Sequence, residues 1–158
     1  MPRVKLDRID RKILRDLQEN GRMSNVDLAE HAGISAPPCL RRVRALEDAG
    51  VIRGYHADID PSSLGYGIFV FAQVGLSTQA EGDLKKFEQV INGWNNVIEC
   101  FLVSGEFDYV VKIYAKDWDD YQDFLTNHLS AVPNVSHIKT SLGVRIAKMK
   151  YGVPVEVK

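Results

Sequence analysis

Two helix N-cap residues, Ser24 and Ser35, lie only eleven positions apart, and Gly33 falls between them. A serine side chain satisfies a free N–H of a first helical turn, and glycine tolerates the left-handed conformation that ends a helix. Pro37 and Pro38 fit the first turn of the second helix, where the N–H groups have no helical partners to lose. The spacing therefore predicts two short helices joined by a sharp corner, which is a helix-turn-helix.

A further helix is predicted before this pair, with Asp7 as its N-cap and Gly21 just past its end. Its apolar side chains recur at helical spacing and share one face: Ile9, Ile13, Leu14 and Leu17. After the pair, residues 51–59 alternate weakly and contain Gly54, which favours a short hairpin or wing. Residues 1–60 are thus predicted to form a winged helix-turn-helix domain.

The helix after Ser35 is basic, and at about 100° per residue its side chains can be assigned to faces. Arg41 and Pro38 point away from the predicted core side, and Arg42 and Arg44 flank it. An outward arginine on an early turn can reach base edges in a major groove, and flanking arginines suit phosphates. The predicted core side consists of Leu40, Val43, Leu46 and Glu47.

The net charge of −1 gives no global field that would attract DNA, so a DNA contact must come from local clustering. Free N–H groups at helix N-termini can bind phosphate, and Arg53 is positioned as a wing contact. The alternative is that the helix arginines form a solvated face paired with Glu47 and Asp48. The predicted DNA-contacting set is Ser24, Asn25, Ser35, Pro37, Pro38, Arg41, Arg42, Arg44 and Arg53.

Residues 61–66 are rich in turn-forming residues and are predicted to be a linker, after which the pattern changes. In residues 67–158, strands are predicted at 68–76, 97–104, 109–115 and 135–147, with helices at 80–91 and after Asp117. This order, β-α-β-β-α-β, is the ferredoxin-like arrangement. The fold class is therefore α+β, with a winged helix-turn-helix followed by a ferredoxin-like sensing domain.

The predicted strands are apolar on both faces, but the two helices of a β-α-β-β-α-β unit cover only one face of the sheet. Soluble monomers avoid a large exposed apolar face, so we expect a dimer in which two sheets pack together. A two-fold dimer also suits paired recognition helices on a two-fold operator.

The loop between the two central strands has the composition of a ligand site. Gly105 lets the backbone approach a ligand, nearby N–H groups can hold a carboxylate, and Asp108 can hold an ammonium. Together these groups would recognise an α-amino acid. The alternative, which spacing alone favours, is a hairpin loop in which Asp108 only caps the turn.

Several segments resemble the Lrp/AsnC (leucine-responsive/asparagine-regulator) family of transcription regulators: 6–14, 24–29, 38–43, 46–47, 50–52, 55–61 and 105–109. The resemblance implies dimers that assemble into octamers or similar particles on double-stranded DNA. It implies an amino acid or related metabolite bound between subunits, with Thr140 and Ser141 completing the pocket from a neighbouring subunit. The implied effector-binding set is Ser104, Gly105, Glu106, Phe107, Asp108, Tyr109, Thr140 and Ser141.

Catalytic signatures are absent from the sequence, so we expect no enzyme, no cofactor and no metal. It contains no GxSxG, P-loop or HExxH motif, and its four histidines are scattered. The competing class is an oligomeric small-molecule-binding or metabolic enzyme domain with a helical appendage, and a third is a scaffold without DNA binding. The N-terminus lacks an apolar signal core and no stretch suits a membrane span, so we expect a cytoplasmic protein.

Overall fold

The computed structural model describes residues 5–157, so residues 1–4 and Lys158, which the predicted domains include, lie outside it. Contacts divide this part of the chain into a helical unit, residues 5–58 with 148–157, and a sheet unit, Ile59–Ala147. Residues 148–157 thus group with the helical unit, although the predicted boundaries assign them to the second domain. None of the helices in the described range has the length and apolar character needed to cross a membrane.

Three helices build the helical unit: α1 (Arg8–Glu19), α2 (Asn25–Ala32) and α3 (Ala36–Asp48). The predicted start of α1 is confirmed by a capping box, in which Asp7 and Asp10 each accept a hydrogen bond from the other's backbone N–H. Ser24 caps α2, and Gly33 ends it at φ 77°, a left-handed conformation that favours glycine.

The core side of α3 runs through Cys39 and differs from the predicted one. Cys39 is fully buried, whereas Leu40 is 38% exposed and Glu47 is exposed. The assignment of Leu40 and Glu47 to the core is therefore wrong. The apolar positions that face the other helices follow i, i+3, i+7, i+10 spacing, which shifts the core side of the helix toward Cys39: Ala36, Cys39, Val43 and Leu46.

The predicted wing hairpin is not formed, because residues 51–60 contain no strand. The backbone N–H groups of Val51 and Ile52 both donate to the carbonyl of Leu46, at 2.9 and 3.1 Å. Those donors terminate α3 and are unavailable for a strand ladder. Tyr55 follows and donates its hydroxyl hydrogen to Glu47 at 2.9 Å, so the segment returns to the end of α3.

Four antiparallel strands form the sheet unit: β1 (Ile68–Leu76), β2 (Val97–Leu102), β3 (Tyr109–Ala115) and β4 (Val135–Leu142). Their order across the sheet is β2-β3-β1-β4, which confirms the ferredoxin-like prediction. Two helices, α4 (Glu81–Ile91) and α5 (Trp118–Phe124), pack on one face, and a π-helical turn (Leu125–Leu129) extends α5. The alternate residues of β1 and β3 under those helices are buried.

Two strands end earlier than predicted because their partners end. β4 stops at Leu142, and Gly143 makes the last ladder bond, from its N–H to the carbonyl of Phe69 at 2.8 Å. β1 begins at Ile68, which is opposite residue 144 in this register, so residues 145–147 have no further strand to pair with. β2 stops at Leu102, opposite the first residue of β3.

Candidate DNA-binding and effector-binding sites

The outward side of α3 presents unpaired positive charge. Arg41 and Arg44 are exposed, and neither makes an ion pair with any residue in the range 5–157. Pro37 is also exposed and Pro38 is half-buried, so the first turn of α3 is open to solvent on this side. The predicted outward placement of Arg41 agrees with this geometry, and its pairing with Glu47 or Asp48 is not formed.

Arg42 is engaged differently, although it is adjacent to Arg41. Its Nη1 donates to Asp7 Oδ2 and to Asp10 Oδ1, each at 2.7 Å, which ties α3 to the first turn of α1. These bonds, to Asp10 first and then Asp7, raise the pKa of the Arg42 guanidinium. The pKa of Asp7 is lowered, first by the backbone N–H of Asp10 and then by Arg42. Arg42 is therefore held by two carboxylates at the start of α1 and is a poor candidate for a phosphate contact.

The polar residues at the helix N-termini have distinct roles. Asn25 Nδ2 donates to the carbonyl of Ala36 at 2.9 Å and joins the start of α2 to the start of α3. Its buried Oδ1 has no hydrogen-bond partner within the described part of the chain. Ser35 makes no side-chain cap bond, contrary to prediction, so its hydroxyl is not engaged by the helix. Arg53 is exposed and, among the described residues, has no ion-pair partner.

Asp108 holds the β2–β3 loop against β1. Its Oδ2 accepts a hydrogen bond from the N–H of Leu76 at 2.6 Å, and its own N–H donates to Val74 at 3.0 Å. Its carbonyl accepts from Val103 at 2.8 Å and closes the loop. The alternative structural role for Asp108 is thus supported for Oδ2, while Oδ1 has no partner among residues 5–157. Gly105, at φ 137°, adopts a backbone conformation that favours glycine.

His137 lies beside this loop and was not predicted as a site residue. Its ring is 5.3 Å from that of Phe107, and its Nδ1 is 2.8 Å from Ser136 Oγ. The imidazole covers Gly75, where any side chain would collide with it. No local pattern marks such a histidine, because the β1–β4 register alone brings it here.

Three predicted effector residues do not present their side chains to the loop within one chain. Tyr109 is buried on the helix side of the sheet, where its hydroxyl donates to Glu88 at 3.0 Å and burial raises its pKa. Its predicted ligand contact is therefore unsupported by its position. Thr140 is paired with Ala72 and 2.7 Å from the hydroxyl of Tyr121.

Ser141 lies opposite Phe71, on the face of the sheet away from α4 and α5. The Asp108 loop instead contacts the far end of β1, at Val74 and Leu76. A pocket that combines Ser141 with this loop would have to draw on two copies of the chain, as the resemblance implies.

The comparisons with known proteins match both units. Residues 6–53 match a winged helix-turn-helix DNA-binding family, and residues 69–153 match the Lrp/AsnC ligand binding domain. These matches define a DNA-binding transcriptional regulator that carries its own ligand-binding domain.

Relatives agree over almost the whole chain. A leucine-responsive regulatory protein of Rhizobium meliloti is 50% identical, covering 92% of this chain and 94% of the relative. The Bkd operon transcriptional regulator of Pseudomonas aeruginosa is 40% identical, covering 96% and 99%. A Neisseria meningitidis transcriptional regulator in complex with L-methionine superposes with a TM-score of 0.90 at 35% identity, over 95% and 97%. The chain belongs to the Lrp/AsnC family of transcriptional regulators, which confirms the predicted resemblance and fold class.

Proposed function

We propose that this regulator binds DNA as a homodimer through α3 and responds to an amino acid bound at the Asp108 loop. The observation that carries the proposal is the unpaired, outward Arg41 and Arg44 on α3, in a chain whose other unit matches a ligand-binding family. A cation without an internal partner can neutralise a phosphate or bind a guanine edge without breaking a native contact.

Within α3, the contacts divide by position along the helix. Arg41 lies on the early, outward side and is assigned to base edges, whereas Arg44 one turn later is assigned to phosphate. The free hydroxyl of Ser35 and the open N-terminal turn suit a second phosphate. Arg42 is omitted from this set because Asp7 and Asp10 already hold it.

The apolar sheet face away from α4 and α5 supports the homodimer. Phe71 is 38% exposed on β1 and Phe101 is 55% exposed on β2, and both lie on the face opposite the helices. Phe69 and Val110 share that face. Packing two such faces together removes this apolar area from water, at about 25 cal/mol per Å². Further association of dimers into octamers or similar particles is what family membership leads us to expect.

The Asp108 loop supports an amino-acid effector. Asp108 Oδ1 is available for an ammonium, and the backbone at Gly105 is open, with no atom close to where a side chain would lie. The related Neisseria meningitidis regulator is in complex with L-methionine, a ligand with the ammonium and carboxylate that these groups suit. Of the two predicted effector contacts on β4, Ser141 from a neighbouring subunit is the better placed, because the hydroxyl of Thr140 is already hydrogen-bonded to that of Tyr121.

The test compares Arg41→Ala with Lys86→Ala, which removes one exposed positive charge from α4 of the sheet unit. Binding to fluorescent DNA from the region upstream of the gene is followed by anisotropy, and oligomer size by gel filtration. A lost base contact is worth about 1–3 kcal/mol, so we expect Arg41→Ala to weaken binding roughly 5- to 150-fold for each protomer on the DNA, with unchanged oligomer size. Equal affinities for Arg41→Ala, Lys86→Ala and the wild type would refute α3 as the reading helix.

Effector binding is tested separately by a thermal-shift screen of the twenty amino acids. A ligand of the native state raises the unfolding temperature in proportion to the logarithm of its concentration. We expect at least one amino acid to do so, and to do so less in Asp108→Asn. The absence of any shift at millimolar concentrations would contradict an amino-acid effector and leave the DNA result intact.

A further inference from the structure

The C-terminal segment of the chain, residues 148–157, is seated on α1 and is called here the C-terminal strap. Gln18 makes two hydrogen bonds to the backbone of Val153, donating from Nε2 to the carbonyl at 2.7 Å and accepting from the N–H at 3.0 Å. Arg11 donates to the carbonyl of Glu156 at 3.4 Å. Gly152, at φ 82°, lies against Gln18 where a side chain would collide with it. The strap is therefore a fitted part of the helical unit.

A second anchor joins the strap to the segment that follows α3. The hydroxyl of Tyr151 donates to Asp58 Oδ1 at 2.7 Å. Asp58 lies five residues after Arg53, the predicted DNA contact, in a segment that follows α3 and forms neither helix nor strand. Lys150, which directly precedes Tyr151, therefore lies next to the segment that contains Arg53.

The strap changes the electrostatics of the helical unit. Residues 1–58 carry 11 lysines and arginines against 9 aspartates and glutamates, a net charge of +2. The strap, residues 148–157, carries 2 against 1, a net charge of +1, so it raises the net charge from +2 to +3. Residues 59–147 carry 6 against 11, a net charge of −5. When the sequence is simply divided at residue 60, this difference in net charge between the helical unit and the sheet unit is not visible.

Lys148 and Lys150 are exposed and make no ion pair with any residue that the structure describes. By contrast, Lys85 and Lys86 on α4 are paired with Glu81 and Asp83 at 3.0 and 3.3 Å. An unpaired lysine that approaches a duplex releases a condensed counterion from the DNA, whereas a paired one must first give up its carboxylate.

We infer that the C-terminal strap is a second DNA-binding surface, on which Lys148 and Lys150 contact backbone phosphates that flank the site read by α3. The inference rests on the proposed DNA binding. Lysine acts here as a point charge without base preference, so the strap raises affinity for every sequence alike.

The experiment measures the binding constant of the full chain for a random-sequence 40-base-pair duplex over a range of KCl concentrations. Each phosphate contact contributes about 0.9 to the slope of log K against log salt. Lys148→Ala/Lys150→Ala should therefore reduce the slope by up to about 2 per bound protomer and leave discrimination between sequences unchanged. Lys85→Ala/Lys86→Ala, which removes the same charge from the sheet unit, is the matched control and should keep the wild-type slope.

Three results would overturn the inference. The first is a wild-type slope in Lys148→Ala/Lys150→Ala, and the second is an equal loss of slope in the α4 control, which would indicate a general charge effect. The third is rapid exchange of the Val153 amide hydrogen in the wild type, equal to that in Gln18→Ala, because the strap would then not be docked. A wild type that binds no DNA in a salt-dependent manner would overturn the proposed function as well.

Discussion

Removing the Asp108 carboxylate should loosen the junction between the Asp108 loop and β1. The hydrogen bond from Leu76 N–H to Asp108 Oδ2 is 2.6 Å long, and Leu76 is buried. In Asp108→Ala this amide loses its acceptor at a position that water reaches poorly. A hydrogen bond to a charged group contributes about 1.5–3 kcal/mol, and the half-buried state of Asp108 places the expected loss near the lower end, about 1.5–2 kcal/mol.

Thermal unfolding and urea titration of the full chain measure this loss. For a unit of this size, about 1 kcal/mol corresponds to about 4–8 °C, so the sheet unit should unfold roughly 6–16 °C lower. Asp108→Asn keeps an oxygen at the same place and should lose less than half as much. Glu106→Ala, at an exposed position of the same loop, is the control and should change stability by less than about 0.5 kcal/mol.

The same pair of variants separates the two roles assigned to Asp108. If Oδ2 holds β1 and Oδ1 holds an ammonium, Asp108→Asn weakens amino-acid binding while most of the stability remains. An Asp108→Ala protein within about 0.5 kcal/mol of the wild type would refute the structural reasoning. An Asp108→Asn protein with undiminished amino-acid affinity would remove Oδ1 from the effector site.

Arg42→Ala should weaken the helical unit by about 1–2 kcal/mol, seen as faster hydrogen exchange in α1 and α3, whereas Arg41→Ala should leave exchange unchanged; equal exchange in both variants would contradict the assigned pairing. Folding lowers the pKa of Asp7, so the ionised Asp7 carboxylate stabilises the fold at pH values above its unfolded pKa of 3.8. This stabilisation is lost as the pH falls through the folded-state pKa. The loss of stability caused by Arg42→Ala should therefore become smaller in that acidic range. Burial, and to a smaller extent the charge of Glu88, raises the pKa of the Cys100 thiol to about 11. At pH 8 this thiol should therefore react with iodoacetamide at least about tenfold more slowly in the native protein than in the protein unfolded in urea. Similar rates in the two states would contradict the burial of Cys100. Phe87→Ala, which removes a buried ring centred 4.6 Å from that of Tyr109, should cost the sheet unit about 3–5 kcal/mol in urea titration, and a loss below about 1 kcal/mol would contradict its core position.

Features set by neighbours in sequence were predictable. Helix starts follow from caps such as Asp7 and Ser24, and the corner from Gly33, because each acts within one turn of the chain. The strands β1 and β3 were predicted with their observed bounds, since both are central and their alternate residues are buried against the helices. The ends of β2 and β4 were not, because an edge strand stops where its partner does.

Features set by distant partners were not predictable from local patterns. The place of Cys39 in the core depends on how α3 packs on α1 and α2. A rotation of α3 about its axis by one residue would bury Leu40 in place of Cys39. The strap depends on Gln18 and Val153, which are 135 residues apart. The strap forms neither helix nor strand, so its sequence has no periodic signal, and only the contacts assign its lysines to the helical unit.

The neighbouring residues Arg41 and Arg42 of α3 show how the capping box of α1 can decide which arginine remains available for binding. Arg41 and Arg42 have the same chemistry, yet only Arg42 reaches the carboxylates of Asp7 and Asp10. Those carboxylates already form the capping box that starts α1, so the residues that begin the first helix also neutralise one arginine of the third. With Arg42 held in this way, Arg41 and Arg44 are the unpaired arginines of α3, and the local signal that begins the fold helps to determine which arginines are available for the proposed DNA contact.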